Sequence, residues 1–236
     1  MAYGWQRQTA GVYDQAAVDA GLRSYMLSIY NYMAIALAIT GLVAFLVASS
    51  PALVSAIFFS PLKWVVMLAP IGFVFLFSAR IGSMSVGTAQ AVFWLFAAVM
   101  GLSMASIFLV FTHTSIARTF FITASAFGAM SLYGYTTRAD LSRFGSFLMM
   151  GLIGIVLASL VNIFLGSSAL QFAISVIGVL VFTGLTAYDT QRLKEEYYAG
   201  YDGTMLGRMA IMGALSLYLN FINLFTLLLQ LFGDRE

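Results

Sequence analysis

The chain has 236 residues, of which 61% are hydrophobic and 8% charged, with a formal net charge of +2 and a mean hydropathy of +0.95. Soluble domains carry about 25% charged residues, so this chain has too few to cover a water-facing surface. A soluble enzyme, a disordered chain and a nucleic-acid binder are excluded, and an all-α integral membrane protein made mostly of spanning segments is expected. Cysteine is absent, which removes disulfides, thiolate catalysis, zinc–thiolate sites and lipidated cysteines.

Residues 1–25 are polar, with Arg7, Asp14, Asp19 and Arg23. They read as a cytoplasmic segment rather than a signal peptide, followed by one membrane domain over residues 26–236. The first span is expected at 26–48, and Pro51 and Pro61 bracket the loop after it. The second, at 64–79, rises only about 24 Å as helix, and Lys63 and Arg80 can snorkel outwards to extend it. Spans three and four are expected at 86–111 and 119–135. Residues 144–188 carry no charge and are too long for one span. Gly166, Ser167 and Ser168 mark a turn within them, giving span five at 144–165 and span six at 169–188. A polar stretch, 192–208, precedes span seven at 209–232.

Continuous apolar runs of this length are helices, because barrel strands are about 10 residues long and alternate. Gly101/Ala105, Ala124/Gly128 and Gly154/Ala158 have the spacing of closely packed helices. Eight Lys and Arg fall on the side of the N-terminal segment and the 2–3, 4–5 and 6–7 loops, against three on the other. The excess predicts a cytoplasmic N-terminus and an outside C-terminus.

An ionisable group within a span costs about 2.5–3.5 kcal/mol on insertion scales, so Asp189, in FTGLTAYDTQRLKEEY, stands out. Two readings are open: a helix-end carboxylate paired with Arg192 three residues on, or a carboxylate facing a polar route between helices that binds a proton or cation. In span seven, Gly213, Ser216, Asn220, Asn223, Thr226 and Gln230 fall within an arc of roughly 140°. That stripe faces protein or water, either as interhelical hydrogen bonding or as the lining of a pathway. Asn31, Asn162 and Gln90 read as helix–helix contacts, His113 as an interface residue, and Glu195 and Glu196 as a solvated face. No HExxH, GxSxG or Walker A pattern is present, and one histidine cannot build a metal centre. An enzyme and a bound cofactor are therefore not expected.

Two segments, TGLTAYDTQRLKEEY and LSLYLNFINLFTLLLQLFG, supported by LRSYMLSIYNYM and DLSRFGSFLMMGLIGIVLASLVNIF, resemble the Bax inhibitor-1-like (transmembrane Bax inhibitor motif) family, in a bacterial-type member. The resemblance covers nearly the whole chain. It implies six helices around a central seventh, and a pH-sensitive calcium leak whose sensor is a pair of aspartates from spans six and seven. Asp189 matches the first aspartate. The second falls on Asn220, because this chain reads LYLNF where the family commonly has LYLDF. An arginine near the end of span two partners the pair in the family, and Arg80 is the basic residue in that zone.

Two adjacent carboxylates share a proton and titrate as a coupled pair. An amide can donate to a carboxylate but cannot share its proton, so pH gating here is expected to be weaker or shifted towards acid. A single carboxylate suits weak, transient Ca²⁺ binding, since tight sites use 6–8 oxygens. The resemblance also implies an alternative without transport: a regulatory membrane protein that modulates a membrane-anchored AAA protease. The expected partners are the lipid bilayer, Ca²⁺ or another cation and, in the alternative, that protease. The expected location is a bacterial inner membrane.

Overall fold

The computed structural model describes the backbone of residues 3–235 and the side chains of residues 16–235. The side chains of Arg7 and Asp14 lie outside the described residues. Eight α-helices follow in order: α1 (Tyr3–Ala48), α2 (Pro51–Phe58), α3 (Leu62–Arg80), α4 (Val86–Met104), α5 (His113–Thr136), α6 (Ser142–Leu165), α7 (Ser168–Glu196) and α8 (Gly203–Phe232). Single 3-10 turns follow α3 and α4 at Ile81–Ser83 and Ala105–Leu109. Among the described residues, seven helices are long and apolar enough to cross a membrane, and the first span covers Ala16–Ala48.

The helix ends explain where the expected spans need correction. The residues expected as a loop after span one contain α2, which starts with Ser50 accepting from Leu53 N and Pro51 in its first turn, where proline's missing N–H costs nothing. α5 begins at His113 rather than 119, because the Thr112 side chain accepts from Ser115 N. Helix α7 runs eight residues beyond the expected limit. Arg192 pairs with Asp189 at i−3 and Glu196 at i+4, a spacing that supports helix. Gln191 and Lys194 tie this extension to the α5–α6 connection through Leu141 N, Ala139 O and Tyr135 O. Helix α8 starts at Gly203, where Asp202 accepts from Met205 N. The turn expected at Gly166 is present: Gly166 has φ 60° and closes α6, a conformation that glycine adopts without strain.

Pro70 lies inside α3 and removes the bond that would reach the Val66 carbonyl. The Ser103 hydroxyl on α4 donates to that same carbonyl, so the freed oxygen is satisfied by a neighbouring helix. Close approach is concentrated at a few glycines. A Cβ on Gly101 would stand 2.7 Å from Thr40 O on α1, and one on Gly134 would stand 2.2 Å from Ala187 O on α7. Of the three small-residue pairs, Gly101/Ala105 packs between helices. Gly128 and Gly154 face open space, which corrects the expectation for the other two pairs.

Helix α8 has the most buried span, 72% of it inside the protein. It packs against α1, α4, α5 and α7, while α3 leans chiefly on α4 and α6 on α7. Its buried faces carry Leu217, Tyr218, Phe221, Leu224, Leu228 and Leu229. Thr40 on α1 joins it to the scaffold, bonding Tyr218 Oη at 2.6 Å and Ala97 O of α4 at 2.9 Å.

Candidate functional site

Within the polar stripe of α8, Ser216, Asn223 and Thr226 are half-buried and Gln230 is exposed, while Gly213 and Asn220 are buried. Because α7 and α8 run antiparallel, α7 meets this stripe in reverse order. The stripe divides into three parts.

At one end, Asp189 of α7 is 6% exposed. Its Oδ2 accepts from Ser216 Oγ at 2.9 Å and from Asn220 Nδ2 at 2.8 Å. Its Oδ1 stands 3.3 Å from Arg192 Nη2. The i+3 ion pair expected with Arg192 forms on one oxygen, and the other oxygen makes the contact with α8. The Arg192 guanidinium also lies over the Tyr188 ring at 5.9 Å.

Beside this group, between α3, α7 and α8, is a cavity of about 600 Å³. Arg192, Glu196 and Arg208 line it together with Ser78, Gly82 and Ser216. Arg208 crosses to the 3-10 turn after α3 by donating to Gly82 O at 2.8 Å. Asp189 lies directly behind two wall residues, Ser216 and Arg192. Arg80 is exposed and forms no ion pair with Asp189; Arg192 holds that position.

In the middle, the stripe turns back on its own helix. Asn223 Nδ2 donates to Leu219 O and Thr226 Oγ1 to Ile222 O, both at 2.8 Å. The facing interface is apolar, with Val181, Phe182 and Leu185 of α7 against Leu224, Leu227 and Leu228 of α8. A Cβ on Gly178 would stand 2.6 Å from Leu227 Cδ1, so this layer is closed.

At the far end a second polar group forms. Gln230 Oε1 accepts from Gln171 Nε2 at 2.6 Å and Ser175 Oγ at 3.2 Å, and Asn162 Nδ2 donates to Gln171 Oε1 at 3.2 Å. These residues line a cavity of about 380 Å³ whose rim includes Arg235. The sequence reading left out Gln171 and Ser175, although their i, i+4 spacing marks one face of span six.

A third chain was also unanticipated. Tyr30 of α1 bonds Ser131 of α5, which bonds Thr190 Oγ1 of α7 at 3.0 Å. It ends on the residue after Asp189. Among the other sequence candidates, Asn162 joins helices as expected, whereas Asn31 is exposed and makes no helix–helix contact of that kind. His113 is exposed at the start of α5, its ring 5.9 Å from that of Phe108.

Among the described residues, no three His, Cys, Asp or Glu side chains come together as a metal site. Asp189 offers one carboxylate, already engaged by an amide, a hydroxyl and a guanidinium. Such a group can exchange a proton or meet a passing cation, but it lacks the 6–8 oxygens of a tight Ca²⁺ cage.

Comparison with known proteins agrees with this architecture. The family described as "Inhibitor of apoptosis-promoting Bax1" matches residues 22–236. Inner membrane protein YbhL of Escherichia coli strain K12 is 49% identical over 220 residues, 92% of this chain and 94% of its own length. Protein RP147 of Rickettsia prowazekii is 49% identical over 218 residues, covering 92% of each chain. A Borreliella burgdorferi protein is 42% identical over 214 residues, 90% of this chain and 92% of its own. Seven spanning helices and a relative named for the inner membrane identify this as a bacterial inner membrane protein. The chain belongs to the Bax inhibitor-1-like family of integral membrane proteins.

Proposed function

We propose that the protein is a proton-gated cation leak pathway, with Ca²⁺ as the favoured ion and the structure in its closed form. One observation carries the reading: Asp189 is buried at the α7–α8 contact, yet both its hydroxyl donor and its counter-charge line a cavity between the ends of α3 and α7 and the start of α8. Charged, Asp189 ties α7 to α8 and holds Arg192. A proton removes the charge, releases Arg192 and weakens both hydrogen bonds, since charge-assisted bonds are roughly twice as strong as neutral ones. The α7–α8 contact then loosens against the apolar layer, and flux rises with acid. The cavity faces the cytoplasm in the orientation expected from the Lys and Arg distribution.

The experiment is calcium efflux from vesicles containing the purified protein, followed between about pH 5 and pH 8. The expected result is efflux above that of empty vesicles, increasing towards acid, with Asp189→Ala removing the pH response. The second reading, a regulator of a membrane-anchored protease without transport, draws on the unbroken apolar layer between the two polar groups. Efflux equal to that of protein-free vesicles at every pH would overturn the first reading and support the second.

A further inference from the structure

Helices α1 and α5 both flank α8 but scarcely touch each other. The seam between them is an open groove of about 770 Å³, with Phe221 of α8 as its floor. Met26 and Met33 form one wall, and Phe120, Ala124 and Gly128 the other. The polar crossing within it is the Tyr30–Ser131 bond. Gly128 has nothing within 4 Å of an added Cβ, so its wall has room that no protein atom fills.

The two ends of the seam differ chemically. The end at Arg23, midway along α1, is cationic and aromatic: Arg23 and Tyr135 line it. Lys194 stands 5.2 Å from the Tyr135 ring centroid and donates to its carbonyl. Arg23 makes no ion pair among the described residues; Asp19, one turn earlier on α1, is the nearest acidic position along that helix. From Arg23 the groove follows α1 to Leu37, about 21 Å of helix. That exceeds the roughly 15 Å depth of one leaflet, half of a hydrocarbon core of about 30 Å, and suits one extended acyl chain.

We propose that this seam is a binding site for an anionic phospholipid, with one acyl chain along the α1–α5 groove over Phe221 and the phosphate against Arg23 and Lys194. The occupant follows from the charge at the rim. An apolar groove alone accepts any chain, but cations set between spanning helices at the headgroup level select anionic lipids. Tyr135 at that level is the amphipathic ring expected at the interface. The bound chain fills the gap that the helices leave, and it lies against the Tyr30–Ser131–Thr190 chain.

Native mass spectrometry of the detergent-purified protein tests this, using phosphatidylglycerol and phosphatidylcholine with identical acyl chains. The expected result is one retained phosphatidylglycerol per protein, bound at least tenfold more tightly than phosphatidylcholine. Arg23→Gln, at an exposed position, should abolish that preference. Gly128→Leu should fill the groove and displace either lipid, whereas Gly154→Leu, which also faces open space but lies on α6, should bind as the wild type does. Glycerol phosphate without chains should not compete. Equal retention of the two lipids by the wild type, or wild-type retention by Gly128→Leu, would overturn the proposal. So would a dimer that phosphatidylglycerol fails to dissociate, because a second copy would then occupy the seam.

Discussion

Asp189 is held by an amide, a hydroxyl and a guanidinium, and each removal has its own expected signature. Asn220→Asp places two carboxylates in hydrogen-bonding range, so they share a proton and titrate as a pair. The pH profile of efflux should move towards neutral and broaden into two steps; an unchanged profile would show that this position plays no part in sensing. Arg192→Gln should alter the profile, whereas Arg80→Gln should not, because Arg80 is exposed and apart from the carboxylate. Outside the membrane, Asp140 accepts from Ser142 N at 2.9 Å. That backbone N–H, with a further contribution from the Ser142 hydroxyl, holds the Asp140 carboxyl below its usual range. Its contribution to the start of α6 is present above its unfolded value and is lost as pH falls through the lowered one. The protection factor of the Ser142 amide, taken against its intrinsic exchange rate at each pH, should fall in acid accordingly.

Between elements, the α7–α8 interface alternates polar, apolar and polar along its length. Leu227→Ser places a hydroxyl in the middle layer and opens space beside Gly178; basal efflux should rise several-fold even at neutral pH. Gly134→Ala drives a methyl into the Ala187 carbonyl, and overpacking of this kind costs roughly 1–3 kcal/mol, readable as a lowered melting temperature. Much of this architecture was legible in the sequence. Charge-free runs locate the spans, Gly166 locates the turn, and the α8 stripe with Asp189 identifies the first polar group. Less legible were the ends of α5, α7 and α8, where capping and i, i+4 pairing carry helices into polar sequence that composition assigns to loops. The partner of Asp189 was also ambiguous, because spacing along span two cannot show that Arg80 points away while Arg192 folds back. Gln171 and Ser175 gain meaning only once antiparallel packing brings them to Gln230.

At the scale of the whole molecule, residues 234–235 are tied to the start of α5 on the face opposite the Asp189 cavity. Thr112 N donates to Asp234 O at 3.0 Å, Asp234 N donates to Ser115 Oγ at 2.8 Å, and Ser115 Oγ donates to Asp234 Oδ2 at 3.1 Å. Arg235 lies over the Phe111 ring at 5.7 Å. Ser115→Ala removes two of these bonds. With a typical net hydrogen bond near 1 kcal/mol, the melting temperature should fall by about 4–8 °C while Asp189-dependent efflux persists. Helix α7 links this face to the other, since Gln171 and Asp189 are separated by about 27 Å of one continuous helix. A piston-like slip of a single turn would carry both ends about 5.4 Å in the same direction. The two polar groups therefore sit on one continuous element, and any axial shift of α7 would displace both together.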